Sequence, residues 1–179
     1  GLPVAVAGTT VHRQCGSGLN ALLDAARCCK SDMGTLFIAG GVESMSRGPF
    51  VLGKSSKPFS RQVEIYDSTV GSRFPNPRVT QRHGDHTMPE TADHIGWDLG
   101  IGREESDAFA FASQQKYAAA KAGGFYDDEL GPVELPDAKR GETQTVHEDE
   151  HPRPQSTTES LAKLQPLIEG GVVTAGNAS

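Results

Sequence analysis

The passage from Thr9 to Gly41 constrains this chain more than any other. Thr9-Thr10-Val11-His12-Arg13-Gln14 has the β-branched, alternating character of a strand. It stops at Cys15-Gly16-Ser17-Gly18, and a helical repeat begins at once, with Leu19, Leu22, Leu23, Ala26 and Cys29 on one face. Lys30 suits the negative end of such a helix, and Gly34 stops it. Thr35-Leu36-Phe37-Ile38-Ala39 is then a continuous apolar run closed by Gly40-Gly41, as in a buried strand. Strand, helix, strand at this spacing predicts a parallel α/β sheet.

From residue 44 to about 86 Ser, Lys, Arg, Pro and Gly dominate and no long periodic stretch occurs. Phe50, Phe59, Ile65, Tyr66 and Phe74 make this an ordered excursion of short elements. Helices then return. Thr87 with Glu90 is a capping box with Pro89 in the first turn, followed by a stripe of Met88, Ala92, Ile95 and Leu99. A second helix is predicted from about Arg103 to Ala122, ended by Gly123-Gly124. Residues 132–146 suggest extended segments about a turn. Ser156 with Glu159 opens a short helix through Leu161 and Leu164, broken by Pro166.

A chain of 179 residues is long enough for a sizeable core, and no window approaches the roughly 18 apolar residues of a membrane span. The net charge of −6 argues against nucleic acid or an anionic membrane as partner. Cys28 and Cys29 are adjacent and poorly placed for a disulfide, so reduced thiols and a cytoplasmic setting are expected. No metal site is expected. Gly1 is not a start methionine and no targeting pattern follows it; Val172 to Ser179 reads as a strand running into an uncapped turn. An internal piece of a longer protein is the expectation.

Cys15 sits where a strand ends and a helix begins. Unpaired N–H groups and partial positive charge collect at a helix N-terminus, surroundings that stabilise a thiolate. Gly16 and Gly18 would permit a sharp turn and a close approach of substrate. This is the logic of a nucleophile elbow with sulfur in place of oxygen. Local geometry supports equally well a small buried cysteine in a glycine-rich turn. Ser17 is a weak rival nucleophile, since no G-x-S-x-G brackets it. Cys28 and Cys29, late in the helix, read as packing residues.

The segment Val11-His12-Arg13-Gln14-Cys15-Gly16-Ser17-Gly18 resembles the nucleophile motif of thiolases, and Ala39-Gly40-Gly41-Val42-Glu43-Ser44-Met45-Ser46 resembles their second signature. Met88-Pro89-Glu90-Thr91-Ala92, Asp149-Glu150-His151-Pro152-Arg153 and Thr174-Ala175-Gly176-Asn177-Ala178-Ser179 follow in the family's order. The one departure noted is His12, where the family usually has Asn. Residues 47–79 most resemble the 3-oxoadipyl-CoA thiolases of aromatic-acid breakdown, with acetyl-CoA acetyltransferases and β-oxidation thiolases close behind.

The resemblance implies a layered αβαβα fold of the α/β class. Residues 1–43 would be the end of the N-terminal half, 44–170 the loop domain that binds CoA, and 171–179 a return strand. It implies an acyltransferase in which Cys15 carries the acyl group, no bound cofactor, coenzyme A as co-substrate, and a homodimeric or homotetrameric parent. Met88 would lie beside the reacting thioester, Arg153 at the adenine and phosphate end of CoA, and Ser160 and Ser179 along its pantetheine. On their own, Met88 is the first apolar residue of a stripe, Arg153 a solvated cation and Ser160 an ordinary helix residue. The Asn-Glu-Ala-Phe, Gly-His-Pro and second-cysteine motifs of the family do not occur here, so this piece alone is expected to be inactive. Two other classes compete: a thiolase-like protein that binds acyl chains or lipid without turnover, and a redox-sensing thiolate.

Overall fold

The computed structural model describes residues 2–136 and 143–178. The chain forms two compact units, Gly1–Phe74 and Pro75–Ser179.

The first unit is built on helix α1, Ser17–Lys30, entered through a 3-10 turn at Gln14–Gly16. The helix ends where expected, but Asp32 at φ 55° takes the left-handed position ahead of Gly34. Further on, β1 (Phe50–Leu52) pairs antiparallel with β2 (Ile65–Asp67), Val51 opposite Tyr66. The Tyr66 and Phe74 rings pack with centroids 4.8 Å apart.

The two expected strands at 9–14 and 35–39 form no ladder with any described residue, and Gln14 is drawn into the 3-10 turn. A strand exists by its ladder, and the ladders among the described residues are two short hairpins. Leu36 and Ile38 are 84% and 79% exposed, and Leu19 and Leu22 on α1 are exposed too. An apolar helix stripe or strand face becomes core only when a second layer covers it. No described residue supplies that layer.

The second unit carries the buried residues. Helix α2, Pro77–His83, starts at Asn76, whose side chain accepts from the Arg78 N–H at 3.0 Å. Helix α3, Met88–Leu99, begins with the expected capping box: Thr87 Oγ1 accepts from Glu90 N–H, and Glu90 Oε2 accepts from Thr87 N–H at 2.6 Å. It stops at Gly100, in the left-handed conformation, with Ile101 N–H bonded to the Gly96 carbonyl. Helix α4 spans Arg103–Ala122. Strand β3, Val133–Pro136, pairs antiparallel with β4, Thr143–Val146; the turn between them lies outside the described residues. Helix α5, Thr158–Ala162, is capped by Thr157 with Ser160 as its box partner, one residue later than the expected Ser156 and Glu159. The following chain doubles back through a single bridge of Pro166 to Thr174, so the expected extended stretch at 172–179 is confined to that bridge before the turn begins.

The core joins α3, α4, α5 and the turn after Val173. Ala110, Leu161 and Val173 are its apolar members; Asp93, Asp107 and Thr174 are equally buried. Buried carboxylates need donors. Asp93 Oδ1 accepts the backbone N–H groups of Val172 at 2.7 Å and Val173 at 3.0 Å. Asp107 Oδ2 receives Arg103 Nε at 2.7 Å. Gly171 allows the first contact, because a Cβ there would lie 2.2 Å from Asp93 Oδ2.

Candidate functional site

Cys15 occupies the middle of the 3-10 turn that opens α1, and it is exposed. The turn is fixed by Ser17. Its hydroxyl accepts from Arg13 N–H at 2.8 Å and donates to the Gln14 carbonyl at 2.7 Å, while Gly16 N–H bonds the Arg13 carbonyl at 3.0 Å. Gln14, just before the thiol, holds φ at 50°. A side chain in the left-handed region costs about 1–2 kcal/mol, and the paired Ser17 contacts offset part of that cost. The glycines were expected to make this bend; instead Gln14 makes it. A Cβ at Gly16 would meet nothing nearer than 3.9 Å and one at Gly18 nothing within 4 Å, so crowding demands glycine at neither position.

Ser17 is the residue that sequence reasoning undervalued. It is no nucleophile here, because its proton is committed to a carbonyl. A serine at the first helical position, able to bond backward, was the available signal. Thr9 to His12, Gln14, Ser17, Gly18 and Ala21 border one open cleft of about 690 Å³ together with Gly40 to Glu43, so parts of the two sequence signatures face a common space. Cys15 is not among the residues that line it. Arg13 reaches along α1 to Asn20 Oδ1 at 3.1 Å. Cys28 is half-buried and Cys29 exposed, both late in α1, and neither is disulfide-bonded.

In the second unit a pocket of about 120 Å³ lies between the loop of His151, Arg153 and Ser156, Leu161 on α5, Gln114 on α4, and the turn at Ala175 and Gly176. Two α4 glutamines hold the loop: Gln114 Oε1 accepts from Arg153 N–H at 2.8 Å, and Gln115 Nε2 donates to the Pro154 carbonyl at 3.2 Å. Arg153 Nη1 donates to the carbonyls of Glu150, His151 and Pro152, folding the guanidinium over its own turn. A guanidinium is a group that can pair with an anion or stack on a ring. The volume is that of a small group such as a ring or a phosphate.

Of the other expected site residues, Met88 is the first residue of α3 and 76% exposed. Ser160 is not on the pocket lining; its hydroxyl donates to the Thr157 carbonyl at 2.8 Å and accepts from Thr157 N–H at 3.0 Å. Ser179 lies outside the described residues. Sequence reading missed Gln114 and Gln115, whose contacts bridge 39 residues and leave no local pattern. Among the described residues no cluster of three or more His, Cys, Asp or Glu could hold a metal ion, and no helix is long and apolar enough to cross a membrane.

The chain matches the family described as thiolase, N-terminal domain, over residues 1–179. It is 51% identical to the 3-oxoadipyl-CoA/3-oxo-5,6-dehydrosuberyl-CoA thiolase of Escherichia coli K12, over its whole length and 45% of that relative. It therefore spans about half the length of the curated relatives it matches. The acetyl-CoA acetyltransferase structure from Bacillus anthracis superposes with a TM-score of 0.81 at 33% identity, covering 98% of this chain and 43% of that one. Human mitochondrial 3-ketoacyl-CoA thiolase in complex with CoA superposes with a TM-score of 0.74 at 33% identity, covering 93% and 40%. The α/β fold is that of these structures.

Proposed function

This chain belongs to the thiolase family, and from that premise we propose that the full-length protein is an acyltransferase that splits 3-oxoadipyl-CoA with coenzyme A. One observation carries the chemistry: Cys15 is exposed at the head of α1 in an elbow held by Ser17. The Cys15 thiolate attacks the 3-keto carbon. The bond between carbons 2 and 3 breaks, and a proton delivered to carbon 2 releases acetyl-CoA. The acyl group stays on Cys15 as a thioester until a second CoA thiolate attacks its carbonyl and frees the sulfur. Each step develops charge on oxygen or carbon, which needs donors and an acid/base. In the family these come from motifs absent from residues 1–179, so this stretch in isolation sustains no turnover.

Coenzyme A is a substrate here, with no bound cofactor beside it. In this reading its adenine and phosphate end meets Arg153 in the second unit, with Ser160 and Ser179 along the pantetheine and Met88 beside the thioester. The CoA complex of a structural neighbour supports coenzyme A as the ligand. The name of the 51% identical relative supports the dicarboxylic acyl chain. Residues 1–43 then end the N-terminal half, 44–170 make the CoA-binding domain and 171–179 return to that half, in a cytoplasmic homodimer or homotetramer.

Incubation of the full-length protein with 3-oxoadipyl-CoA and no free CoA, followed by acid quench, digestion and mass spectrometry, tests this. The acyl adduct is expected on the peptide holding Cys15. An adduct confined to Cys28 or Cys29, or none, overturns the reading. Faster thiolysis of acetoacetyl-CoA than of 3-oxoadipyl-CoA would make the protein an acetyl-CoA acetyltransferase instead.

A further inference from the structure

We infer that Asn177 and Asp107 are positioning residues that set two walls of the pocket beside Arg153. The inference rests on the reading that this pocket takes part of CoA, and it concerns residues outside the pocket lining. Asn177 uses its whole amide. Oδ1 accepts Thr174 N–H at 2.7 Å, and Nδ2 donates to the Val172 carbonyl at 2.9 Å and to Asp107 Oδ1 at 2.9 Å. These three bonds fix the turn on which Ala175 and Gly176 stand, and both residues line the pocket. Thr174 Oγ1 adds an acceptor for Gly176 N–H at 3.1 Å.

Asp107 links that turn to the opposite wall. Its second oxygen holds Arg103 Nε at 2.7 Å, and Arg103 Nη2 donates to the carbonyls of Leu161 at 2.6 Å and Leu164 at 2.9 Å. Leu161 is itself a wall of the pocket. One run of charge-assisted bonds therefore reaches both sides. Asp107 also precedes Gln114 by two helical turns, so both project from the same face of α4. Gly176 sets the gap between the walls, since a Cβ there would lie 2.5 Å from Leu161 Cδ2 and 2.6 Å from Leu164 Cδ1. Asp107, at the centre of the network, is only 5% exposed and its partners Arg103 and Asn177 are half-buried, so water does not replace a lost partner freely.

Steady-state thiolysis by the full-length protein, with CoA varied, tests the assignment. Asn177→Ala is expected to raise KM for CoA about tenfold with kcat nearly unchanged, as the loss of one or two buried hydrogen bonds implies. Gly176→Ala keeps every bond named above but pushes the turn from α5, and it should raise the same KM should Asn177→Ala fail to fold. Arg153→Ala separates the two layers. A normal KM in Arg153→Ala sinks the CoA reading of the pocket and this inference with it. A raised KM in Arg153→Ala, with normal KM in folded Asn177→Ala and in Gly176→Ala, overturns the positioning role alone. A fall in kcat at unchanged KM in either positioning variant overturns it as well.

Discussion

The Asn177 side-chain nitrogen lies 2.9 Å from an Asp107 carboxylate oxygen, joining residues 70 apart in the chain. Asp93 does the same from α3, holding Val172 and Val173 from 79 and 80 residues away. Between these two carboxylates the returning chain is pinned on both sides, so the turn after Val173 is held mainly by polar contacts. Few apolar side chains are buried around it. Directional bonds of this kind specify one arrangement where apolar burial alone would leave several.

The most damaging substitution for folding is predicted at Asp93. Asp93→Ala leaves two N–H groups without their acceptor, and the second unit should lose about 2–4 kcal/mol. Gly171→Ala should be comparably harmful at about 1–3 kcal/mol, because its methyl group would drive into Asp93 Oδ2. Urea denaturation followed through Trp97 fluorescence measures both; unchanged midpoints would remove Asp93 from the folding account.

Cys15→Ser in the full-length protein should abolish nearly all thiolysis, since a hydroxyl without a strong base is a far weaker nucleophile than a thiolate. Cys28→Ala should leave the rate nearly unchanged. Activity of the serine variant within about tenfold of the parent would refute the role of Cys15.

Ser17→Ala removes both side-chain contacts that hold the Gln14 bend, and kcat is expected to fall about tenfold, as one to two lost hydrogen bonds imply. Ser17→Thr keeps the hydroxyl and should recover most of the rate. Equal losses in both variants would show that crowding, rather than the hydrogen bonds, governs the site.

The α3 cap makes a prediction about pH. Thr87 backbone N–H, then its hydroxyl, hold the Glu90 carboxyl below its ordinary value. A lowered value in the folded state means stabilisation that is complete above the unfolded value of about 4.3 and lost as pH falls through the lower folded one. Thermal midpoints of the parent should exceed those of Glu90→Gln at neutral pH and converge with them once the pH has fallen below the folded-state value of the Glu90 carboxyl. A gap that persists in acid would assign the effect to something other than the carboxylate.

Several features of this chain were legible without a structure because their causes are local. The Thr87–Glu90 box at the start of α3, the ends of α4, and the position of Cys15 at the head of α1 each depend on residues within a few positions, and each formed as read. The start of α5 slipped by one residue because Ser156, Thr157, Glu159 and Ser160 offer competing caps, and only geometry chose Thr157 with Ser160. Helix α2 and the β1–β2 hairpin are too short to show periodicity. The runs at 9–14 and 35–39 have strand character in full, yet they pair with nothing described, because a strand is completed by another segment. Sequence by itself determined the family, the α3 capping box and the ends of α4. Tertiary structure alone decided that Gln14 bends the elbow, that Ser17 holds it, and that Asp93, Asp107 and Asn177 set the turn beside Arg153. A polar side chain carries no sign of which distant amide or carbonyl it will meet; folding brings that partner within 3 Å.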